Sequence, residues 1–441
     1  LAATVHCSYN STRLSLLFVP KLDSSSFSDW NRLMVADDAL DGTGSQSALR
    51  RSNERLILDT LRTLGPASQA TLARNSGLSK SAVNAIVRAL AADGVLEVRP
   101  GATGRETEVA LIGPRGALVA LDLGHQRLHG SVISFDQQHR VDEVVDLGRE
   151  HDASSDVATV SELVERLLEQ AGVSRAEVDR VRVGVHAPYD ALTRTISPTG
   201  ILPGWEGSDV EAMLSAALDL PVEVDNDANY AALAEWSWGA GRGSRNLLYV
   251  KSSNGIGSGL IINNQVYRGS NGLAGELGHI VVDSRGALCN CGNRGCLSAV
   301  ASGRALLLEL AAAGSPRESL QQVIADAQAG DLACRRIVGE AGRYLGVGLS
   351  HAVKLIAPDT IIIGGELAAA GTLLLDSVKA ELSANALQSV SGMPRVEPGL
   401  RRGDMSILGC VAAVLAGSGY GMSELPTWIL TPTGQRVRET V

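Results

Sequence analysis

The sequence predicts an α/β body that carries a small helical head with a β-hairpin on its N-terminal side. Three observations lead there. Beyond residue 117, short apolar runs of strand length alternate with amphipathic helical stretches, and glycines stand at the strand ends. Between residues 51 and 111, three helical stretches are followed by two strand-like runs around a Pro- and Gly-rich turn. Charge divides along the same line. Residues 50–105 hold nine Arg or Lys against four acids, a balance of +5, which leaves −14 for the rest of a chain of net charge −9.

At 441 residues the chain has room for two or three domains and a sizeable core. Residues 1–47 are rich in Ser, Asp, Gly and Thr without sustained periodicity, and are expected to be disordered. The chain begins with Leu, so this first segment is assigned no function. The apolar stretch Leu14 to Pro20 lacks the basic start and cleavage site of a secretory signal. No apolar run reaches the roughly 18 residues that a membrane helix needs. Of the six cysteines, Cys7, Cys334 and Cys410 lie far apart with no pairing pattern, which reads as a reducing, cytoplasmic compartment.

Order is expected from Arg51. Ile57, Leu58, Leu61 and Leu64 recur at helical spacing until Gly65-Pro66. Ser68 is placed to cap a short helix through Leu72 and Ala73, and Gly77 to turn the chain. Ser79 caps a longer helix with Val83, Ile86, Val87 and Leu90 on its apolar face, ending at Asp93-Gly94. Val95 to Val98 and Thr107 to Leu111 read as a hairpin around Pro100–Gly104. Three helices and a hairpin make a winged helix-turn-helix, whose second paired helix enters the major groove of DNA. Lys80, Ser81, Asn84 and Arg88 share the polar face of that helix, and Arg99 and Arg105 flank the wing. Asn suits adenine, and Arg suits guanine or phosphate. The same residues would also suit the solvated face of a helical adaptor.

In the body, Leu118 to Leu123 and Leu128 to Phe135 read as strands separated by Gly124, and Val157 to Ala171 as an amphipathic helix. Val181 to Val185, Val222 to Val224, Leu247 to Val250, Gly259 to Ile262 and Ile361 to Ile363 are further strands. Ala305 onward is largely helical.

The block Glu276-Leu-Gly-His279 followed by Cys289-Asn-Cys291 and Cys296 offers four ligands of the kind tetrahedral zinc takes. All four come from protein, which points to a structural metal; the alternative is a Cys-rich loop without one. Asp225-Asn226-Asp227 follows an apolar strand, where a carboxylate can accept a hydroxyl proton or cap the next helix. Ser253 to Gly259 reads as a Gly-rich turn between strands, able to present backbone N–H groups to phosphate or simply to close a hairpin. Gly364-Gly365 closes a strand.

The order of these pieces resembles the ROK family of repressors, open reading frames and kinases. Asp-x-Gly near 122, Asn-Asp-Ala-Asn at 226–229, Gly-Ile-Gly-x-Gly at 255–259, the run to His279, the Cys block and Ile-Gly-Gly at 363–365 carry it. The resemblance implies an actin-like, ribonuclease H-like two-lobed sugar-kinase fold. The family's repressor branch, which includes regulators of xylose and N-acetylglucosamine use, adds an N-terminal winged helix. By the same resemblance, Asn226, Asp227, Glu276 and His279 are sugar contacts, with Asp227 at the kinase general-base position. His279, Cys289, Cys291 and Cys296 are the zinc ligands, and one imidazole nitrogen on zinc leaves the other for a sugar hydroxyl.

Three departures bear on activity. Where kinase members carry Asp-x-Gly-Gly-Thr, this chain reads Asp122-Leu-Gly124-His125-Gln126. An imidazole there obstructs backbone approach to phosphate. A Pro-Gly loop becomes Pro188-Tyr189, and a sugar-contacting Glu after the last Cys becomes Ser298. A lost charged hydrogen bond costs about 1.5–3 kcal/mol, enough to change which ligand fits. The expectation is therefore a transcriptional regulator, most readily a repressor of carbohydrate metabolism, that uses a kinase-like body to sense a sugar or sugar derivative. ATP and Mg2+ are not expected as cofactors. The other reading is a glucokinase-like enzyme with an appended DNA-binding head. The expected layout is a disordered 1–47, a head at 48–113, a body at 114–423 and a tail at 424–441. Within the body, about 114–226 plus the C-terminal helix forms one lobe and about 227–410 the other. Operator DNA, a homodimer or dimer of dimers, and no membrane complete the expectation.

Overall fold

The structure is a computed structural model. It describes residues 50, 52–54, 56–58, 60–61, 64–100, 107–112, 115–148, 152–385, 387, 392–400, 402–417, 427–430 and 436–438. The expected disorder of 1–47, Cys7, Arg105 and the wing tip at 101–104 lie outside the described residues. The chain divides into two compact units, residues 1–56 and 57–441. In the first, residues 50, 52–54 and 56 are helical, and Arg50 pairs with Glu54 one turn on.

The second unit opens with the expected head. Gly65, at φ 74°, stops the first helical stretch. Strand β1 (Ala67–Ser68) leads into helix α1 (Gln69–Ser76), and the Ser68 hydroxyl accepts from the Thr71 amide. Gly77 ends α1 in the left-handed region at φ 71°, which L-residues with side chains adopt only at a cost. Ser79 caps helix α2 (Lys80–Ala92) through the Ala82 amide. Strands β2 (Leu96–Pro100) and β3 (Thr107–Leu111) form the hairpin. Two-residue β1 adds a third strand that the sequence reading did not expect, giving the order β1-β3-β2. Ile57, Leu61, Leu72, Val83, Val87, Leu96 and Val109 close one core beneath these elements.

Among the described residues, the body holds two large sheets and a two-stranded one. Strands β4 (Ala117–Leu123), β5 (Arg127–Ser134) and β6 (His139–Asp146) form a meander, and helix α3 (Ala153–Ala171) packs on it. Strand β7 (Val178–Val185) runs parallel to β4. After the hairpin of β8 (Tyr189–Asp190) and β9 (Thr195–Ile196) comes helix α4 (Val210–Leu218), and then strand β10 (Val222–Asn226) runs parallel to β7. Helix α5 (Asp227–Trp238) then crosses to the second sheet. There β11 (Leu247–Ser252), β12 (Ile256–Ile262) and β13 (Gln265–Val266) are antiparallel.

A helical layer follows: α6 (Leu297–Ala301), α7 (Gly303–Ala312), α8 (Leu320–Ala329) and the long α9 (Leu332–Ile356). Strand β14 (Thr360–Gly364), helix α10 (Thr372–Asn385) and strand β15 (Arg395–Pro398) complete the second sheet, in the order β13-β12-β11-β14-β15. Helix α11 (Met405–Gly417) lies with α5 in a core shared by faces of both sheets. Every α5 residue from Asp227 to Glu235 is buried, so this part of the helix has no polar face to give to water.

Two features correct the expectation. Strand β6, with the sequence HRVDEVVD, had no apolar run to announce it. It is buried because its charges are paired: the fully buried Arg140 donates to both Asp142 oxygens at 2.6 and 2.8 Å, and to Asp404 at 2.9 Å. The segment 424–441, set apart as a tail, contributes helix α12 (Thr427–Leu430) and strand β16 (Arg436–Arg438), which pairs parallel with β6 at the edge of the first sheet. Arg140 holds α12 as well, donating to the Ile429 carbonyl at 2.8 Å.

Candidate functional site

The carboxyl ends of parallel strands leave backbone groups and side chains facing a crevice, and ligands of open α/β sheets bind there. Here β4, β7 and β10 end together: Asp122, Gly184 and Asp225 are in register across the three strands. His186 follows β7 directly, and β10 runs into Asn226 and then Asp227, the first residue of α5. From the second sheet, Lys251 near the end of β11 stands between Gly257 of β12 and Gly364 of β14.

Asp122, His186, Lys251 and Asp227 interlock. His186 Nε2 lies 2.9 Å from Asp122 Oδ1 and 3.4 Å from Asp227 Oδ2. The Lys251 ammonium donates to Asp227 Oδ2 and sits 3.3 Å from His186 Nε2. Burial opposes charge on Asp122, His186 and Lys251, and the neighbours reverse that. His186 is held above its ordinary value by Asp122 and Asp227, and Lys251 above its own by Asp227 and Asp122. The cations His186 and Lys251 hold Asp122 well below the usual carboxylate range. The two acids and two bases of the cluster thus lie where each can offset the charge of the other kind.

Asn226 caps α5: its side-chain oxygen accepts from the Ala228 amide at 2.9 Å, and its Nδ2 donates to the Ala187 carbonyl at 3.0 Å. The capping alternative is therefore realised at Asn226, while Asp227 beside it faces the charged cluster. Asp225 is buried and held by Arg268 at 2.7 Å and by Asn229 at 2.8 Å. Glu276 is partly buried, and burial together with the charge of Asp227 pushes its carboxyl up to about 7. Gly278 allows the chain to pass between Glu276 and His279, since a Cβ there would lie 2.2 Å from the Ile256 carbonyl oxygen and 2.4 Å from the Ser298 hydroxyl. Ser298 donates to the Ile256 carbonyl at 3.3 Å.

The Cys and His block closes on itself. Ligand atoms of His279, Cys289, Cys291 and Cys296 all lie within 4.8 Å of one another. Cys289 Sγ is 3.6 Å from His279 Nδ1, and Cys291 Sγ is 3.6 Å from Cys296 Sγ. A tetrahedron with metal–sulfur bonds of about 2.3 Å has edges of about 3.8 Å, so the donors fit a zinc ion in chemistry and in size. Burial holds His279 below its ordinary value, in the neutral form a metal takes. Burial and the neighbouring thiols push Cys296 up to about 12, so metal uptake there would release protons. Nδ1 faces the thiols, which leaves Nε2 as the nitrogen not turned to the cluster.

The Gly-rich segment is shorter as a turn than expected. Ser253 to Gly255 makes the turn, and β12 already begins at Ile256. Gly259 is there for packing: a Cβ would lie 2.5 Å from the Ala228 carbonyl oxygen and 2.7 Å from Ala232 Cβ, so α5 could not lie so close. In the first loop, a Cβ on Gly124 would lie 3.1 Å from the His186 ring, and His125 beside it is exposed. On the head, Lys80, Ser81, Asn84 and Arg88 are all exposed along α2, and Arg99 is exposed and donates to Glu97 at 3.0 Å. His186, Lys251 and Arg268 were not expected at the site. A lone Lys in an apolar strand and a His directly after a parallel strand were the available signals.

A two-lobed kinase-like body with carboxylates at its strand ends, joined to a winged helix, defines the class of protein. Residues 118–416 match the ROK family and residues 50–97 match a winged helix-turn-helix DNA-binding family. The chain belongs to the ROK family, and its body has the family's actin-like sugar-kinase fold. It is similar to the xylose repressor of Bacillus spizizenii, at 28% identity over 349 residues, 77% of this chain and 88% of that protein. It is similar to the glucokinase of Halalkalibacterium halodurans, at 33% identity over 238 residues, 50% of this chain and 72% of that enzyme. Among solved structures, a ROK family transcriptional regulator homologous to the E. coli MLC protein shares the fold. Its TM-score is 0.70 at 22% identity, over 84% of this chain and 97% of that one. Among the described residues, no helix is long and apolar enough to cross a membrane.

Proposed function

We propose that this protein is a cytoplasmic, DNA-binding transcriptional regulator of carbohydrate metabolism, acting as a repressor. Its kinase-like body senses a sugar or sugar derivative and transfers no phosphate. The carrying observation is the tie between Asp227, at the kinase general-base position, and the Lys251 ammonium, in a chain whose head matches a DNA-binding family. A carboxylate shared with an ammonium and an imidazolium is a poor base for a hydroxyl. His125 in the first loop, with His186 packed against Gly124, works against phosphate approach in the same direction. The similarity to xylose repressors supports a sugar effector, and the glucokinase similarity supports the retained sugar contacts.

In this reading the head spans 48–113 and the body 114–423, with operator DNA read by a dimer. Lys80, Ser81, Asn84 and Arg88 meet DNA in the major groove, and Arg99 and Arg105 at the wing. Asn226, Asp227, Glu276 and His279 meet the sugar. A structural zinc on His279, Cys289, Cys291 and Cys296 would fix the His279 ring, leaving Nε2 to donate to a sugar hydroxyl.

Two measurements test this. Lys80→Ala and Asn84→Ala should each weaken binding to duplexes selected from a random pool by about fivefold or more, with folding unchanged. Unchanged anisotropy titrations would remove α2 from the interface. Calorimetry with D-xylose and D-glucose should show binding that Glu276→Ala reduces. ATP turnover on either sugar, abolished by Asp227→Asn, would replace the regulator with a kinase.

A further inference from the structure

We propose that Asp122, His186 and Asp227 form a latent divalent-cation site whose cation the chain supplies itself, as the ammonium of Lys251. This deepens the reading of the pocket as one that does not phosphorylate, but its test needs no effector.

One donor atom from each of the three residues lies within 4.8 Å of the other two, so a single ion could touch all three. Two carboxylates and an imidazole are a set that suits Mn2+ or Fe2+, and neither sulfur nor a fourth protein ligand is called for. In this chain the Lys251 ammonium donates to Asp227 Oδ2 and approaches His186 Nε2 at 3.3 Å. The lysine reaches in from the second sheet, between two strands that carry glycine in register with it. Its side chain is 24% exposed and that of His186 31%, against 13% for Asp122 and 7% for Asp227, so the two bases stand toward solvent with the acids behind them.

The electrostatics require an occupant. His186 lies between the two poorly solvated carboxylates, but even as an imidazolium it offsets only one of their two charges, and one carboxyl would take up a proton unless a second cation joined it. An ammonium meets that need with a compact point charge on a covalent tether. A tethered cation cannot be diluted away, and it excludes a free divalent ion by charge and by volume. The pocket is therefore neutral without metal, and the metal of a metal–nucleotide complex finds its carboxylate partners taken. Asp227 is left with its other oxygen as an acceptor for ligand hydroxyls.

The test is a titration of zinc-replete protein with Mn2+, followed by electron paramagnetic resonance. Mn2+ suits the oxygen-rich site and poorly suits the thiolates. Removing one positive charge within about 4 Å of the site should tighten Mn2+ binding at least a hundredfold. Lys251→Met should therefore gain one Mn2+ site per chain, and Asp122→Asn added to it should remove that site. Lys251→Arg should keep the ion out. Lys251→Gln repeats the measurement with a polar side chain, should Met disturb folding. The proposal is overturned if Lys251→Met or Lys251→Gln folds and binds Mn2+ no more tightly than the parent. It is also overturned if the parent binds Mn2+ and Asp122→Asn abolishes that binding.

Discussion

Replacing Glu276 by Gln isolates the energetic cost of placing a carboxyl beside Asp227. Burial and the Asp227 charge push Glu276 up from an ordinary 4.5 to about 7. The folded state thus keeps a proton that the unfolded state has already released. Since stability changes with pH in proportion to protons bound unfolded minus folded, the contribution of this group falls as pH rises. It is fully present below about 4.5, is lost progressively up to about 7, and is flat beyond. At about 1.4 kcal/mol per pH unit, the loss is on the order of 3 kcal/mol. Glutamine keeps the shape and the hydrogen-bonding capacity but carries no proton to lose. Thermal melts of zinc-loaded parent and Glu276→Gln should coincide near pH 4.5 and separate as pH rises. By pH 8 the variant should melt several degrees higher, at roughly 1–2 °C per kcal/mol for a body of this size. Parallel curves from pH 4.5 to pH 8 would refute the reasoning, because they would mean that Glu276 ionises in the folded protein as freely as in the unfolded chain.

Three further outcomes are expected. Elemental analysis should find one zinc per chain, and Cys291→Ser should lower both its retention and sugar affinity, the latter about 10–100-fold if His279 loses its anchor. Arg140→Met removes the buried cation shared by Asp142 and Asp404, leaving Asp404 to Arg402 and Asp142 to His129 and Ser131, and should lower stability by about 3 kcal/mol, read as a drop in Tm. Gly259→Ala forces a methyl against the Ala228 carbonyl and should cost about 1–3 kcal/mol while displacing the Asp227 end of α5, so calorimetry should show weaker sugar binding as well.

The parts legible in the sequence are those whose physics is local. Ser68 and Ser79 announce helix starts because the cap bond spans three residues, and both bonds form, to Thr71 and Ala82. The metal donors fall within one short block, His279 to Cys296, and the loop brings them together. Strand β6 was not legible, because the bonds of its buried Arg140 are completed by partners that arrive 264 and 289 residues later, at Asp404 and Ile429. The same holds for the site. Asp227 could be singled out from its place after a strand, but what it is bonded to could not. Lys251 is 24 residues away and His186 is 41 residues before it, on different sheets, and only the convergence of strand ends brings them into contact. Charge compensation at a distance leaves no periodic trace in a sequence.

The position of the Lys251–Asp227 pair gives the proposed sensing a physical handle. Asp227 opens α5 at the end of the first sheet, and Lys251 comes from the second, so the ion pair ties the ends of the two sheets together. A ligand shifts a conformational equilibrium only by as much as it prefers one state over the other. In the proposed reading a sugar hydroxyl donating to Asp227 would compete with the ammonium for the same carboxylate, and Glu276, whose carboxyl is pushed up to about 7 and so is about half protonated at pH 7, would take the adjoining hydroxyl without adding a full charge. Occupancy would then weaken a contact between the two sheets while adding contacts of its own, which is a differential interaction of the kind coupling requires. A neutral polyol could work this tie without a nucleotide, a divalent metal or a proton transferred, and Lys251→Met should then bind sugar with little change in compactness by small-angle scattering, where the parent shows a change.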